Sequence, residues 1–293
     1  MTSFVLITFI IILFTLQSLL CKKYSDAYPG NPAMASPVFT VVSGLTVVLV
    51  SLTLMRFSFD ASALTVVLGI INALALVGYN TSLIKASQSG PYSVLMVFSL
   101  AGAIVIPAII ATVVFHDGLS WLKALGILIV IASVYMVSYR RGERTSSSKW
   151  FIPCCLVLGL CNGAYGTLLD IQQRLTGAEQ KEEMVAITYA VAALLSILIL
   201  TVQNKSNTMR VFKQSKRSLI YLITCSLVVA SAIHVMVYIL PLVNVTMLYT
   251  MDNAGVLLLS VLCSCIMFRE KLSALNIIGC LTMCGALVMV AMF

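Results

Sequence analysis

Charge is what this sequence has least of. Only 10% of its 293 residues are Asp, Glu, Lys or Arg, whereas a soluble domain carries about 25%. With 60% hydrophobic residues and a mean hydropathy of +1.06, the chain cannot cover itself with a hydrated surface, and a bilayer is its expected solvent. Histidine is almost missing too. His116 and His234 are the two present, and no Cys/His spacing resembles a metal site. Neither H-E-x-x-H, a Ser/His dyad nor a catalytic Asp pair occurs at suitable spacing, so no enzyme chemistry, catalytic residue, metal or cofactor is expected. No basic n-region or A-x-A site marks "MTSFVLITFIIILFTLQSLLCKK", which therefore predicts an uncleaved first helix. No polar stretch is long enough for a soluble domain. Finally, no Lys or Arg lies at mid-span: Lys85 and Lys123 sit near span ends, where they reach the headgroups. That absence argues against phosphorylated substrates, which need buried cations.

What is present is apolar and segmented. A helix needs about 20 apolar residues to cross the hydrocarbon. Ten such runs are predicted, at about 2–21, 37–55, 62–84, 91–114, 119–138, 150–169, 183–203, 218–240, 243–267 and 272–292. The breaks include "DAYPGNPAMASP", read as unable to continue a helix, and "RRGERTSSSK" between the fifth and sixth runs. The nine cysteines sit almost wholly inside apolar segments and read as small buried hydrophobes. The net charge of +8 fits loops facing anionic headgroups rather than a nucleic-acid partner.

One stretch is written twice. "FHDGLSWLKALG" at 115–126 and "FREKLSALNIIG" at 268–279 share Phe, an acid, Leu, Ser, Leu and Gly at the same offsets, 153 positions apart. The same offset pairs Ser99–Gly102 with Asp252–Gly255, Gln17 with Asp170, and Met136-Val137 with Met289-Val290. The expected fold is therefore all-α and integral to the membrane, with ten transmembrane helices as two five-helix repeats. The repeats are expected at 1–140 and 150–293, joined by a linker at 141–149. Five is odd, so the second copy is expected to enter the membrane inverted, an arrangement that characterises transporters with a midplane site between the halves.

The acidic turn followed by Leu-Ser, the early Gly of the next helix, "YNTSLIKASQSGPYSVL" and "LVLGLCNGAYGTLLDIQQR" together resemble the drug/metabolite transporter superfamily. The nearest branch is the EamA-type bacterial exporters, and the likeness covers essentially the whole chain. It implies a ten-helix transporter in a bacterial cell (inner) membrane.

Ionisable residues inside a span are costly, about 2.5–3.5 kcal/mol on insertion scales, and single out candidates. Asp252 lies well inside the ninth run, with Asn253 beside it and Tyr249 one turn away. It reads either as a cavity residue or as a protonated hydrogen-bonding strut. His234, with Tyr238 a turn later, is either a packing residue or a proton relay to Asp252. Asp170, four before Arg174, is either an interfacial ion pair or a third proton-coupling residue. Tyr79, Asn80, Tyr92, Met96 and Ser99 in the third and fourth runs, Asn162 and Tyr165 in the sixth, and Gln17 in the first complete the expected substrate contacts. Helix packing is the alternative for each.

The expected function is secondary active transport of a small metabolite, amino-acid-like or otherwise neutral, zwitterionic or cationic, by export or exchange. Efflux of lipophilic or quaternary cations is the alternative, and a non-transporting membrane scaffold the third. Partners are a small-molecule substrate and the lipid bilayer, with the chain acting as a monomer or homodimer. Of the 18 Lys and Arg, 14 follow odd-numbered runs. The positive-inside rule then puts both termini outside, while the family resemblance implies cytoplasmic termini.

Overall fold

The structure is a computed structural model that describes residues 2–114, 116, 120–138, 149–176, 180–203, 214–239, 242–243 and 245–292. The side chains of residues 2–4, 111, 138, 245–247, 249, 250 and 290–292 lie outside that description. Among the described residues there are ten helices: α1 Thr2–Ala27, α2 Pro32–Leu54, α3 Ala63–Ser89, α4 Tyr92–Val114, α5 Trp121–Ser138, α6 Phe151–Thr176, α7 Lys181–Gln203, α8 Lys216–Ile239, α9 Val245–Met267 and α10 Ala274–Met292.

Side-chain caps fix where several of them start, because the first N–H groups of a helix lack intrahelical partners. Asn31 Oδ1 accepts from Ala33 N at 3.0 Å, Ser62 Oγ from Thr65 N at 3.2 Å, and Ser215 Oγ from Ser218 N at 3.1 Å. The start of α2 corrects an expectation. "PAMASP" belongs to the helix, since Pro32 stands in its first turn, where a missing N–H costs nothing, and Pro37 is carried inside. Helices α1, α3 and α6 also outrun their apolar stretches, continuing into "CKKYSDA", "KASQS" and "IQQRLT". Polar residues past the hydrocarbon still propagate a helix that is already nucleated.

Seven helices (α1, α2, α3, α4, α6, α7 and α8) are long and apolar enough to cross a membrane; α5, α9 and α10 are apolar over shorter stretches of 10–17 described residues. Leucines and isoleucines such as Leu49, Leu128, Leu194 and Ile266 point outward, which water would penalise and lipid does not. This is a multi-pass membrane protein.

The repeated dodecamer has a structural role at both sites. His116 and Arg269 occupy the same repeat position, and both have a left-handed backbone, with φ of 53° and 54°. Four residues on, Ser120 Oγ accepts from Lys123 N at 3.1 Å and Ser273 Oγ from Asn276 N at 3.2 Å, opening α5 and α10. Those two helices pack on each other. Gly279 sits where a Cβ would meet Met136 and Val137, Asn276 Nδ2 donates to Val137 O at 2.8 Å, and Ser133 Oγ lies 2.9 Å from Thr282 Oγ1. Phe115, Asp117 and Leu119 lie outside the described residues.

The principal packing pairs are α1 with α8 and α9, α6 with α3 and α4, α2 with α3, α7 and α8, α3 with α7, α5 with α10, α4 with α5 and α9, and α9 with α10. At one face of the bundle, Lys22 Nζ at the end of α1 donates to Ser87 O near the end of α3, at 2.8 Å. At the other, Gln180 Oε1 before α7 accepts from Ser62 N at 3.0 Å and Thr65 Oγ1 at 2.7 Å at the start of α3.

Candidate functional site

The polar centre begins where α4 and α6 touch. Gly102, Gly159 and Gly163 meet so closely that a Cβ on Gly102 would overlap the backbone of Gly159. This glycine contact lets two helices pack backbone to backbone. It brings Asn162 Nδ2 to Ser99 O at 3.0 Å and Ser99 Oγ at 3.1 Å. From α3 the Tyr79 hydroxyl faces Ser99, with Cys21, Cys225 and Tyr165 around it. Tyr165, one turn after Asn162, sets its buried hydroxyl beside Tyr189 of α7, without a hydrogen-bond partner. Tyr79 and Tyr165 are enclosed by protein yet keep part of their surface open. Two turns from them on the same helix faces, Asn72 has neither amide atom paired, and Gln172 Oε1 is likewise partnerless.

A second seam joins α1 to α9. Gly255 rests on Ile11, and the same face of α1 continues through Thr15 to Ser18. Tyr92 Oη donates to Ser18 Oγ, which donates in turn to Thr15 O at 2.9 Å. Ser260 of α9 faces the same Tyr92 hydroxyl. Asp252 precedes Gly255 by one turn and is 7% exposed. Asp252 Oδ1, Thr15 Oγ1, Ser260 Oγ and, on the neighbouring face of α1, Gln17 Oε1 are buried without a hydrogen-bond partner. Each such group costs about 1–3 kcal/mol when left unpaired. Three of these, on Asp252, Thr15 and Ser260, lie along the α1–α9 seam, where water or a polar ligand would pair them. No Lys or Arg among the described residues is buried, so the seam offers acceptors and hydroxyls without fixed positive charge.

The structure sorts the remaining expected residues. Met96 is buried on α4 between Tyr92 and Ser99, and Asn253 is buried beside Asp252. Asn80 Nδ2, also buried, donates to Thr40 Oγ1 of α2 at 3.1 Å. His234 does not reach toward Asp252. Its Nδ1 lies 2.9 Å from Glu182 Oε2 and its Nε2 3.4 Å from Ser51 Oγ, joining α8 to the start of α7 and the end of α2. Tyr238 is 64% exposed on the outside of α8. One residue from the end of α8, it sits where an aromatic ring suits the headgroup region. Asp170 Oδ2 takes Arg174 Nε at 2.9 Å, an i,i+4 pair rather than a cavity wall. The side chain of Tyr249 lies outside the described residues. Five contributors went unforeseen: Thr15, Ser18, Cys225, Tyr189 and Ser260. Helical spacing from Ile11 through Thr15 to Ser18 was the available signal for the first two. For Cys225 there was none, since its tie to Gln17 O at 3.4 Å spans more than half the chain.

No family model matches this chain, and no curated protein does. A solved structure described as "Crystal structure of protein" superposes with a TM-score of 0.66 at 14% identity, covering 99% of this chain and 97% of that one. At that identity the likeness speaks for the fold alone, and it is end to end.

Proposed function

We propose that the protein is a secondary active transporter of the drug/metabolite transporter type. It moves a small neutral, zwitterionic or cationic solute, amino-acid-like in size, through a polar chamber between two inverted five-helix halves, all ten helices crossing the membrane. The carrying observation is the set of partnerless buried oxygens on Asp252, Thr15 and Ser260 at a seam between one helix of each half, with Gln17 Oε1 partnerless on the neighbouring face of α1. The packing supports the inverted duplication. Advancing each helix by five exchanges α1·α8 with α6·α3, α1·α9 with α6·α4, α2·α8 with α7·α3 and α4·α5 with α9·α10, and returns α2·α7, α5·α10 and α4·α9 to themselves; α2·α3 departs from the pattern, its counterpart α7·α8 being only a slight contact. The matching left-handed residues and serine caps of the two dodecamers support it further.

In this reading Asp252 receives the positive end of a solute, or a proton that replaces it. Ser99, Asn162 and Tyr79 contact its polar remainder, and the tyrosine rings its apolar part. Export or exchange across a bacterial inner membrane follows from the family resemblance. The test is counterflow uptake into proteoliposomes with a panel of radiolabelled amino acids, amines and quaternary cations. Uptake of at least one class, lost in Asp252→Asn, supports the reading. The absence of uptake across the panel refutes it. Saturable uptake confined to quaternary cations selects efflux of lipophilic cations instead.

A further inference from the structure

The turn between α9 and α10 makes contacts that the polar centre does not require. Glu270 Oε1 accepts from Tyr92 N at 2.6 Å, and Glu270 Oε2 accepts from Ser93 N at 3.2 Å and from Ser93 Oγ at 2.8 Å. A carboxylate is thus seated on the first two N–H groups of α4, where the helix dipole favours it. Phe268 lies against the Tyr92 ring, with centroids 5.4 Å apart and planes at 57°. Lys22 Nζ stands 4.9 Å from the centre of the Phe268 ring while it donates to Ser87 O. Apart from the Lys22–Ser87 bond, each of these contacts runs from residues 268–270, late in the chain, to residues 22–93, early in it. Beneath them lie the Tyr92–Ser18 hydrogen bond and, one turn past Ser18, the buried thiol of Cys21. The opposite face has its own tie between the halves, Gln180 Oε1 accepting from Ser62 N and Thr65 Oγ1. Asn72 and Gln172 Oε1, two turns from the central tyrosines, are partnerless.

We infer that Glu270 is a latch that holds the polar centre shut on the α9–α10 face. With its three hydrogen bonds made, Tyr92 is fixed over the α1–α9 seam and that face is sealed. Breaking them frees the turn, the start of α4 and the end of α1 together. The inference rests on the transport reading only in giving the latch a purpose; the closure itself is a property of these contacts. Glu270 acts through Tyr92 and Ser93 as a positioning residue and touches no solute.

The native cysteines report on it. Protein in nanodiscs is treated with a water-soluble, membrane-impermeant maleimide, and alkylation is followed thiol by thiol by mass spectrometry. In the wild type, Cys21 and Cys225 are 1% and 0% exposed and react slowly. Losing a cap of this kind shifts an opening equilibrium by about tenfold, so Glu270→Ala is expected to alkylate Cys21 about tenfold faster. Glu270→Gln, which keeps an acceptor oxygen, falls between, and Ser93→Ala, which removes one bond of three, gives the smallest rise. Cys155, buried on α6, takes no part in the latch and should not change. Unaltered Cys21 rates in all three variants overturn the inference. So does a rise at Cys155 in step with Cys21, which marks general loosening. If Cys21 responds but no solute is transported, the latch stands and the transport reading falls; transport without a Cys21 response gives the reverse.

Discussion

Replacing Gly102 with alanine tests whether the contact between α4 and α6 organises the centre. A Cβ there would overlap the carbonyl carbon and oxygen of Gly159. These are backbone atoms, with no rotamer to retreat into. The helices must part, and overpacking of this kind costs about 3 kcal/mol or more. Two other glycines calibrate that figure. At Gly255 the added atom would meet the Ile11 side chain, 2.6 Å from its Cδ1 and 2.8 Å from its Cγ2, of which the first can swing away and the branched second can yield only by a small shift of α1, while alanine gains about 1 kcal/mol of helix propensity. The two effects nearly cancel. At Gly166 nothing lies within 4 Å of the new atom, so only the gain remains. With about 2–4 °C per kcal/mol for a chain of this order of size, Gly102→Ala should melt roughly 6–12 °C lower. Gly255→Ala should stay within about 3 °C of the wild type, and Gly166→Ala should match or exceed it. Thermal unfolding in detergent, read by a thiol-reactive fluorophore as the buried cysteines emerge, gives all three values. If Gly102→Ala melts no lower than Gly166→Ala, the backbone-to-backbone contact does not hold the halves in register and the site built on it is misplaced.

Three further outcomes are expected. Thr15→Val and Asp252→Leu remove buried oxygens that have no partner, so each should raise the melting temperature, by about 1–2 kcal/mol in free energy, while lowering uptake. His234→Ala should cost about 1–3 kcal/mol in the same melt by stranding Glu182, and should leave the pH profile of uptake unchanged, because His234 is tied to α7 and α2. Ser273→Ala and Ser120→Ala should each cost about 1 kcal/mol as lost helix caps. A much larger loss at one would show that the dodecamers do different work.

Much of the fold could be read directly. The ten apolar runs coincide with the helices to within about two turns, because apolar length and Gly/Pro breaks report the hydrocarbon boundary whatever a helix packs against. The dodecamer was legible for a related reason: a left-handed residue, a serine cap and a glycine crossing are local devices spelled in adjacent letters. The site was legible only in part. Ser99, Asn162, Tyr79 and Asp252 stood out as polar residues in apolar surroundings. Whether such a residue faces the centre is decided by partners far away in sequence, and so Asn80 turned out to serve Thr40, and His234 to serve Glu182. Thr15, Ser18 and Cys225 escaped notice because a small hydroxyl or thiol in an apolar helix looks like ordinary packing. Tyr238 misled because sharing one face with His234 says nothing about where the neighbouring helices end.

The central claim is that two inverted halves rock about one chamber, and paired distances across the two faces test it most directly. Spin labels at Phe59 and Leu242 span the halves at one face, and labels at Lys85 and Lys271 span them at the other; three of these positions are exposed in the α2–α3, α8–α9 and α9–α10 turns, and Lys85 lies near the end of α3. Pulsed dipolar spectroscopy in nanodiscs should give two distances for each pair, with conditions that lengthen one pair shortening the other. A single distance at both faces, unmoved by any solute of the panel, would contradict the account.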